Sequence, residues 1–447
     1  MADDVRVNAD LSSALDEAEA RYRAANPESL ARHEAAAAAM PGGNTRTVLH
    51  YPPFPLAWAR GEGATLTDLD GHRYTDFLGE YTAGLYGHSN AVIREAVKAA
   101  LADGIVLGGP NRYEAALAAE ICRRFPSLEL IRFCNSGTEA NLFALSTARA
   151  VTGRSKILAF DGGYHGGVFY FGLARSAINA PFPMVFARYN DAEGAATAIA
   201  AHARDLAAVI VEPMQGSGGC IPGESAFLQA LRDACDAHGV VLIFDEVMTS
   251  RLSPGGRQAL LGIVPDMTTL GKYLGGGLSF GAFGGRADIM ARYDPSRPDA
   301  IAHAGTFNNN VLSMAAGLAG LTKVLTPQAL ATLNARGDAL RDRLNALALA
   351  RGLPVQALGC GSLVNLHFHR EPIRAVQDYA ADAETTARRT RLARLFHLDM
   401  IAAGQYLAMR GFMALSLPIT DADCDRLVAA VDEFLAVRGP LIEAAAT

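Results

Sequence analysis

The sequence predicts an α/β fold, with a large domain built on a mostly parallel sheet and a smaller α+β domain beside it. Two observations carry that expectation. From about residue 90 to 325, short apolar runs at 131–134, 156–160, 207–212, 240–245 and 267–270 alternate with helical segments. Strands alternating with helices build a parallel sheet, and runs without polar alternation need cover on both faces. The second observation is compositional: of 447 residues, 50% are hydrophobic and 19% charged. That supplies a large core and excludes a disordered or coiled-coil chain.

Residues 11–40 read as one helix, with Leu11, Leu15, Tyr22 and Leu30 among Ala, Glu and Arg, stopped by Pro41-Gly42-Gly43. Residues 57–78 alternate apolar with polar and turn at Asp70-Gly71, the pattern of a hairpin. Beyond Pro327, amphipathic helices at 328–350 and 376–403 go with short strands at 361–368 and 411–416, and the Ala-rich tail from Glu443 reads as a frayed end. The expected division is 1–75 as an N-terminal segment belonging with the small domain, 76–326 as the large domain and 327–447 as the small one.

Charge narrows the partners. Lys plus Arg is 40 against 46 for Asp plus Glu, a net charge of -6, so no positive field exists to hold a nucleic-acid backbone. The six cysteines show no CxxC pair and no histidine at metal-ligand spacing, which predicts free thiols and no structural metal. The start, Met1-Ala-Asp-Asp-Val-Arg6, is acidic where a secretory leader is basic, and no apolar run reaches the ~18 residues a membrane span needs. A soluble cytoplasmic protein is the expectation.

Ligands of parallel sheets sit at the carboxyl ends of the strands, and chemistry-bearing residues cluster at those ends here. Ser136, Gly137 and Thr138 follow the first run and open a helix, where hydroxyls and N–H groups favour an anion; an ordinary N-cap uses the same residues. Tyr164 and His165 stand among glycines after the second run. The aromatic face suits a planar ring, and a turn-packing role suits it equally. Asp245 ends the run 240–244, where a carboxylate needs a cation: a metal, an arginine or a protonated ring nitrogen. Lys272 lies beside the triple glycine 275–277, and partial desolvation there makes a Schiff-base nucleophile. Anion cup, aromatic plate, carboxylate and lysine, in that order, are what a phosphorylated pyridine aldehyde requires.

With Asn135-Ser-Gly-Thr-Glu-Ala-Asn141, Gly162-Gly-Tyr-His-Gly-Gly167, Val211-Glu-Pro-Met-Gln-Gly216, Phe244-Asp-Glu-Val-Met-Thr-Ser-Arg251, Thr269-Leu-Gly-Lys-Tyr-Leu-Gly-Gly-Gly277 and Gly305-Thr-Phe-Asn-Asn-Asn310 in place, the chain resembles a class III aminotransferase of the fold type I pyridoxal-phosphate enzymes. It is related to the glutamate-1-semialdehyde aminomutases and nearest the β-amino-acid, β-phenylalanine-type aminotransferases. The resemblance implies a seven-stranded sheet and pyridoxal 5'-phosphate as cofactor. It implies Lys272, Asp245 and Tyr164 as catalytic residues, joined around the cofactor by Ser136, Gly137, Thr138, His165, Glu212, Val247, Met248 and Thr306, the last from the second subunit of a homodimer. Arg46, Arg410 and Tyr81 would meet the substrate, with Phe54 and Tyr86 as further candidate walls. The implied activity moves the amino group of a β-amino acid to a 2-oxo acid. Alternatives are 1,2-amino migration as in the aminomutases, a broad-range omega-amine transaminase, or a catalytically silent scaffold. The segments Thr306-Phe-Asn-Asn-Asn310 and Thr249-Ser-Arg-Leu252 depart from the aminomutase pattern toward the β-amino-acid branch.

Overall fold

The computed structural model describes residues 10–446; the acidic start, Met1 to Arg6, lies outside them. Seven strands form the central sheet in the order Leu130–Cys134, Gly281–Gly285, Met267–Gly271, Val241–Asp245, Leu206–Val211, Lys156–Phe160, Met184–Ala187. All run parallel except Gly281–Gly285, which is antiparallel to both neighbours. The strand Leu206–Val211 is buried at every position, the signature of a sheet covered on both faces. Parallelism brings the ends at Cys134, Phe160, Val211, Asp245 and Gly271 to one edge of the sheet.

Two strands of this sheet escape the sequence pattern. Gly281–Gly285 reads GAFGG, a poor strand by propensity. Its glycines answer to contact: a Cβ at Gly281 would lie 2.2 Å from the Ser136 carbonyl oxygen, and one at Gly285 2.2 Å from that of Asp266. Met184–Ala187 is a four-residue edge strand, too short to show a period.

Three expectations are corrected. The helix over residues 11–40 is two, Leu11–Ala25 and Pro27–Ala37, because Pro27 lacks the N–H that a continuous helix needs and instead opens the second. The helix expected from residue 376 begins at Ala383, capped by the Asp382 carboxylate on the Thr385 N–H, after a separate turn at Val376–Tyr379. The tail from Glu443 is not frayed: the helix Asp421–Ala446 continues through it, with Ile442 and Ala445 buried.

The hairpin is present as Thr65–Asp68 and Arg73–Asp76, with Trp58–Glu62 added outside it. Its inner strand also pairs in parallel with Gln405–Tyr406 near the C-terminus. Helix Leu11–Ala25 packs on Ala383–Ala402, pinned by the Arg394–Glu19 and Arg21–Asp399 ion pairs. A three-stranded sheet, Gln356–Cys360, Leu363–His367 and Phe412–Ala414, completes the C-terminal part.

Candidate active site

Asp245 ends its strand buried, at 4% exposure. One carboxylate oxygen accepts from Asn141 Nδ2 (2.8 Å) and stands 2.8 Å from His165 Nδ1; the other accepts the Val247 N–H (3.0 Å). Among the described residues it has no arginine or lysine partner. A buried carboxylate held by neutral amides and one imidazole suits a positively charged ring nitrogen.

Lys272 follows the neighbouring strand and turns the chain with a left-handed φ of 59°, a conformation that costs a side-chain-bearing residue about 1–3 kcal/mol and recurs at functional sites. Its amine makes no hydrogen bond or ion pair to any described residue and feels its charged neighbours only through space. Burial pulls it down to about 8 from the ordinary 10.5, with Arg46 and Arg410 acting in the same direction against Glu80 and Asp245. A near-neutral unpaired amine is a nucleophile and base at physiological pH.

The 16-residue helix Gly137–Thr152 starts directly after the strand Leu130–Cys134. The Ser136 hydroxyl is already engaged as an N-cap, accepting the Glu139 N–H at 3.2 Å, so the ordinary capping role is real. The N–H groups of Gly137 and Thr138 make no hydrogen bond among the described residues, and they are the donors free for an anion. The Thr138 hydroxyl accepts from the Gly167 N–H at 3.2 Å, tying the cup to the 162–167 loop.

On that loop Tyr164 is 42% exposed, its ring edge-on to Tyr170 at 5.7 Å. Its N–H donates to Glu212 at 2.9 Å, while the other Glu212 oxygen accepts the Gly216 N–H at 3.0 Å. Burial pushes Glu212 up to about 7, so this carboxyl is poised between its two protonation states. His165, by contrast, is 2% exposed and committed to Asp245. It fixes the carboxylate instead of presenting a free face. Val247 and Met248 pack close to the two loops: a Cβ on Gly137 would meet Val247 at 3.0 Å, and one on Gly216 would meet the Met248 sulfur at 2.1 Å.

Arg46 pairs with Glu80, and its guanidinium carbon lies 5.8 Å from the Tyr81 ring centroid; that of Arg410 also lies 5.8 Å away. Tyr81 is buried, stacked on Phe412, and donates to the Val48 carbonyl at 3.0 Å. Two guanidiniums thus flank one aromatic ring within electrostatic reach of Lys272. Phe54 and Tyr86 are core residues, packed on Tyr22 and Tyr273 respectively. Thr306 is exposed on the 306–309 turn; the neighbouring Asn308 accepts from Asn135 at 3.1 Å.

Sequence reasoning missed Asn141 and Glu80. Asn141 is 1% exposed in a helix interior, where asparagine is a poor helix former, and that mismatch was the available signal. It donates to Asp245 and accepts from the Thr269 hydroxyl at 2.7 Å. Glu80 gave no local sign, because its partner is 34 residues away.

The donor set fits a phosphorylated pyridine cofactor: free helix N–H groups, an unpaired lysine amine and a buried carboxylate without a described arginine or lysine partner meet at one sheet edge. Residues 48–390 match the profile of the family Aminotransferase class-III. The beta-phenylalanine transaminase of Variovorax paradoxus is 54% identical over 435 residues, 97% of this chain and 99% of the relative. The crystal structure of the beta-phenylalanine aminotransferase of that organism superposes with a TM-score of 0.93 at 53% identity, covering 96% of this chain and 98% of the other. A glutamate-1-semialdehyde 2,1-aminomutase of Sorangium cellulosum is 37% identical over 437 residues, 92% and 96% of the two chains. A transaminase with PLP bound gives a TM-score of 0.84 at 31% identity, over 94% and 99%.

Proposed function

The chain belongs to the class III aminotransferases, fold type I enzymes that work with pyridoxal 5'-phosphate, and from that membership we propose that it moves the amino group of a β-amino acid to a 2-oxo acid such as 2-oxoglutarate or pyruvate. One observation carries the substrate reading. Arg46 and Arg410 stand at equal distance from the Tyr81 ring and both depress the Lys272 amine, so two carboxylate-binding groups serve one reacting centre. The 54% identity to a beta-phenylalanine transaminase, against 37% to an aminomutase, favours an aryl or alkyl β-amino acid over migration within one molecule.

The bound cofactor supplies an electron sink on which an amino group can leave one carbon skeleton and join another. The chain supplies the rest. Gly137 and Thr138 N–H groups, with the Ser136 and Thr138 side chains beside them, receive the phosphate. Tyr164, held by the bond from its N–H to Glu212, would cover the ring. Asp245, steadied by Asn141 and His165, would pair with the ring nitrogen and favour its protonated form, and Val247 and Met248 would pack near it. Lys272 would hold the cofactor through its Nζ, and the same neutral amine would take the proton from the substrate carbon and deliver it to the cofactor side of the reacting centre. Arg46 clamps the substrate carboxylate, displacing Glu80, and Tyr81 lines the side-chain space.

In a half-reaction screen of the holoenzyme, β-phenylalanine is expected to bleach the cofactor band at least about tenfold more efficiently than α-amino acids or simple amines. Arg46→Gln is expected to raise KM for the β-amino acid by about 30-fold, roughly 2 kcal/mol, and to leave carboxylate-free amines unchanged. Faster bleaching by simple amines, or isomerisation without an added acceptor, would replace this reading with one of its alternatives.

The same reading includes a homodimer in which Thr306 reaches the partner's phosphate site. Its support is an apolar face next to that residue: Val106 is 81%, Leu107 54% and Phe307 61% exposed. The two segments are stitched together by Asn111 donating to the Asn309 carbonyl and Asn309 donating to that of Gly109. Patches of this kind mark interfaces. Sedimentation equilibrium is expected to return twice the chain mass of 47.1 kDa, and Phe307→Glu to shift it toward the monomer; a monomeric wild type sinks this part.

Two further pieces belong to the proposal. A division near residues 75 and 326, with the N-terminal segment in the small domain, is supported by the pairing of Arg73–Asp76 with Gln405–Tyr406. A cytoplasmic setting is supported by six free cysteines, and no described helix is long and apolar enough to cross a membrane.

A further inference from the structure

A cavity of about 420 Å³ lies beside the candidate site, between the 217–219 loop, the end of the strand Leu363–His367 and the helix Ala383–Ala402. That size suits a small ligand. Tyr170, His367, His369, Tyr379, Arg389 and Arg410 line it, and no Asp or Glu is among the lining residues.

The polar groups of this wall form a connected row. The Tyr379 ring lies 5.6 Å from that of His367 and 6.5 Å from that of His369. Burial pulls His367 down to about 4, reinforced by Arg410, and burial also lowers His369, reinforced by Arg389. Both imidazoles are therefore neutral at physiological pH, and the wall carries two guanidinium charges. Glu371 and Asp378 act on His369 from outside the lining. Asp378 is committed to Arg188 and to the N–H groups of Arg374 and Ala375.

Much of the wall's hydrogen-bonding capacity is unused. Nε of Arg389 and Nε of Arg410 make no hydrogen bond to any described residue. Arg389 spends one Nη on the Tyr379 carbonyl at 2.9 Å, and Arg410 spends one on the Ser217 carbonyl at 2.7 Å. Buried donors left unpaired cost free energy, and two guanidinium Nε groups facing one chamber call for an acceptor ligand.

We propose that this cavity is a second carboxylate site, which binds a small organic acid in addition to the substrate at Lys272. Guanidinium matches carboxylate geometrically, and the tyrosines give a flat apolar flank for the acid's carbon skeleton. Two sources share that chemistry: an aryl monoacid lying against Tyr379, and a dicarboxylate reaching both arginines. This goes beyond the proposed amino transfer and does not require it, although Arg410 borders both spaces.

Calorimetric titration of the holoenzyme with benzoate and with succinate, neither of which carries an amine or an oxo group, tests the proposal. At least one of them is expected to bind the Arg46→Gln variant at about one per chain, and to bind at least tenfold more weakly when Arg389→Gln is added. In the otherwise wild-type holoenzyme, Arg389→Gln alone is expected to remove this same class of site while the amino-donor half-reaction is unchanged, and Arg389→Lys to lie between. Benzoate binding alone identifies the aryl source, and succinate binding alone the dicarboxylate. Loss of all carboxylate binding in Arg46→Gln, or affinities indifferent to Arg389, would overturn the second site and leave the transfer reading untouched.

Discussion

Lys272→Ala is expected to lower turnover by at least about 10³-fold, roughly 4 kcal/mol of barrier, and to abolish the absorbance of the covalently held cofactor. The loss follows from the geometry. Lys272 is the one described residue that combines an unpaired amine, a strained left-handed backbone and a position at the common edge of the parallel strands. Adding a small primary amine is expected to restore part of the activity, because what the variant lacks is a neutral nitrogen base. The pH dependence carries its own sign. Since the amine is pulled down to about 8, uptake of pyridoxal phosphate by the apoenzyme should rise about tenfold per unit of pH below that value and level off above it. A limb near the ordinary lysine value of 10.5 would place the reacting amine in water, contrary to this site. Between those two values the unfolded chain binds more protons at this residue than the folded apoenzyme, so this group's contribution to stability rises with pH there.

Asp245→Asn is the second large effect, an expected fall in kcat of about 10²–10³, roughly 3–4 kcal/mol. Asparagine keeps the shape and can still accept from Asn141 or Val247, so the variant removes charge while leaving the scaffold in place. A buried carboxylate without a lysine or arginine partner destabilises the apoprotein. The variant's apo melting temperature is therefore expected to match or exceed that of the wild type while its turnover collapses. Equal losses in both would mean that Asp245 is a structural residue. Steady-state kinetics and apo thermal unfolding on the same preparation separate the two outcomes.

How far each feature was legible in the sequence depended on how local its cause is. Runs such as 240–244 announce a strand because burial on both faces leaves no room for polar alternation, and the order of cup, plate, carboxylate and lysine survives because every carrier strand is parallel. Gly281–Gly285 was hidden because its composition answers to the carbonyls of Ser136 and Asp266, which are distant in sequence. The one-helix reading of residues 11–40 failed at Pro27, a local signal that outweighed the surrounding helix formers. At the site, the side-chain partners of Asp245 lie 104 and 80 residues away, and no spacing rule reaches them. That the Ser136 hydroxyl is taken up by the Glu139 N–H, leaving the Gly137 and Thr138 N–H groups open, and that Arg46 pairs with Glu80, became visible only when the chain was folded.

Reduction of the holoenzyme with borohydride, followed by peptide mapping, tests the central claim most directly, because it marks the nitrogen joined to the cofactor. The expected result is one stoichiometric phosphopyridoxyl label per chain, on Lys272. A label on any other side chain, or none, would contradict the assignment and with it the chemistry built on that amine.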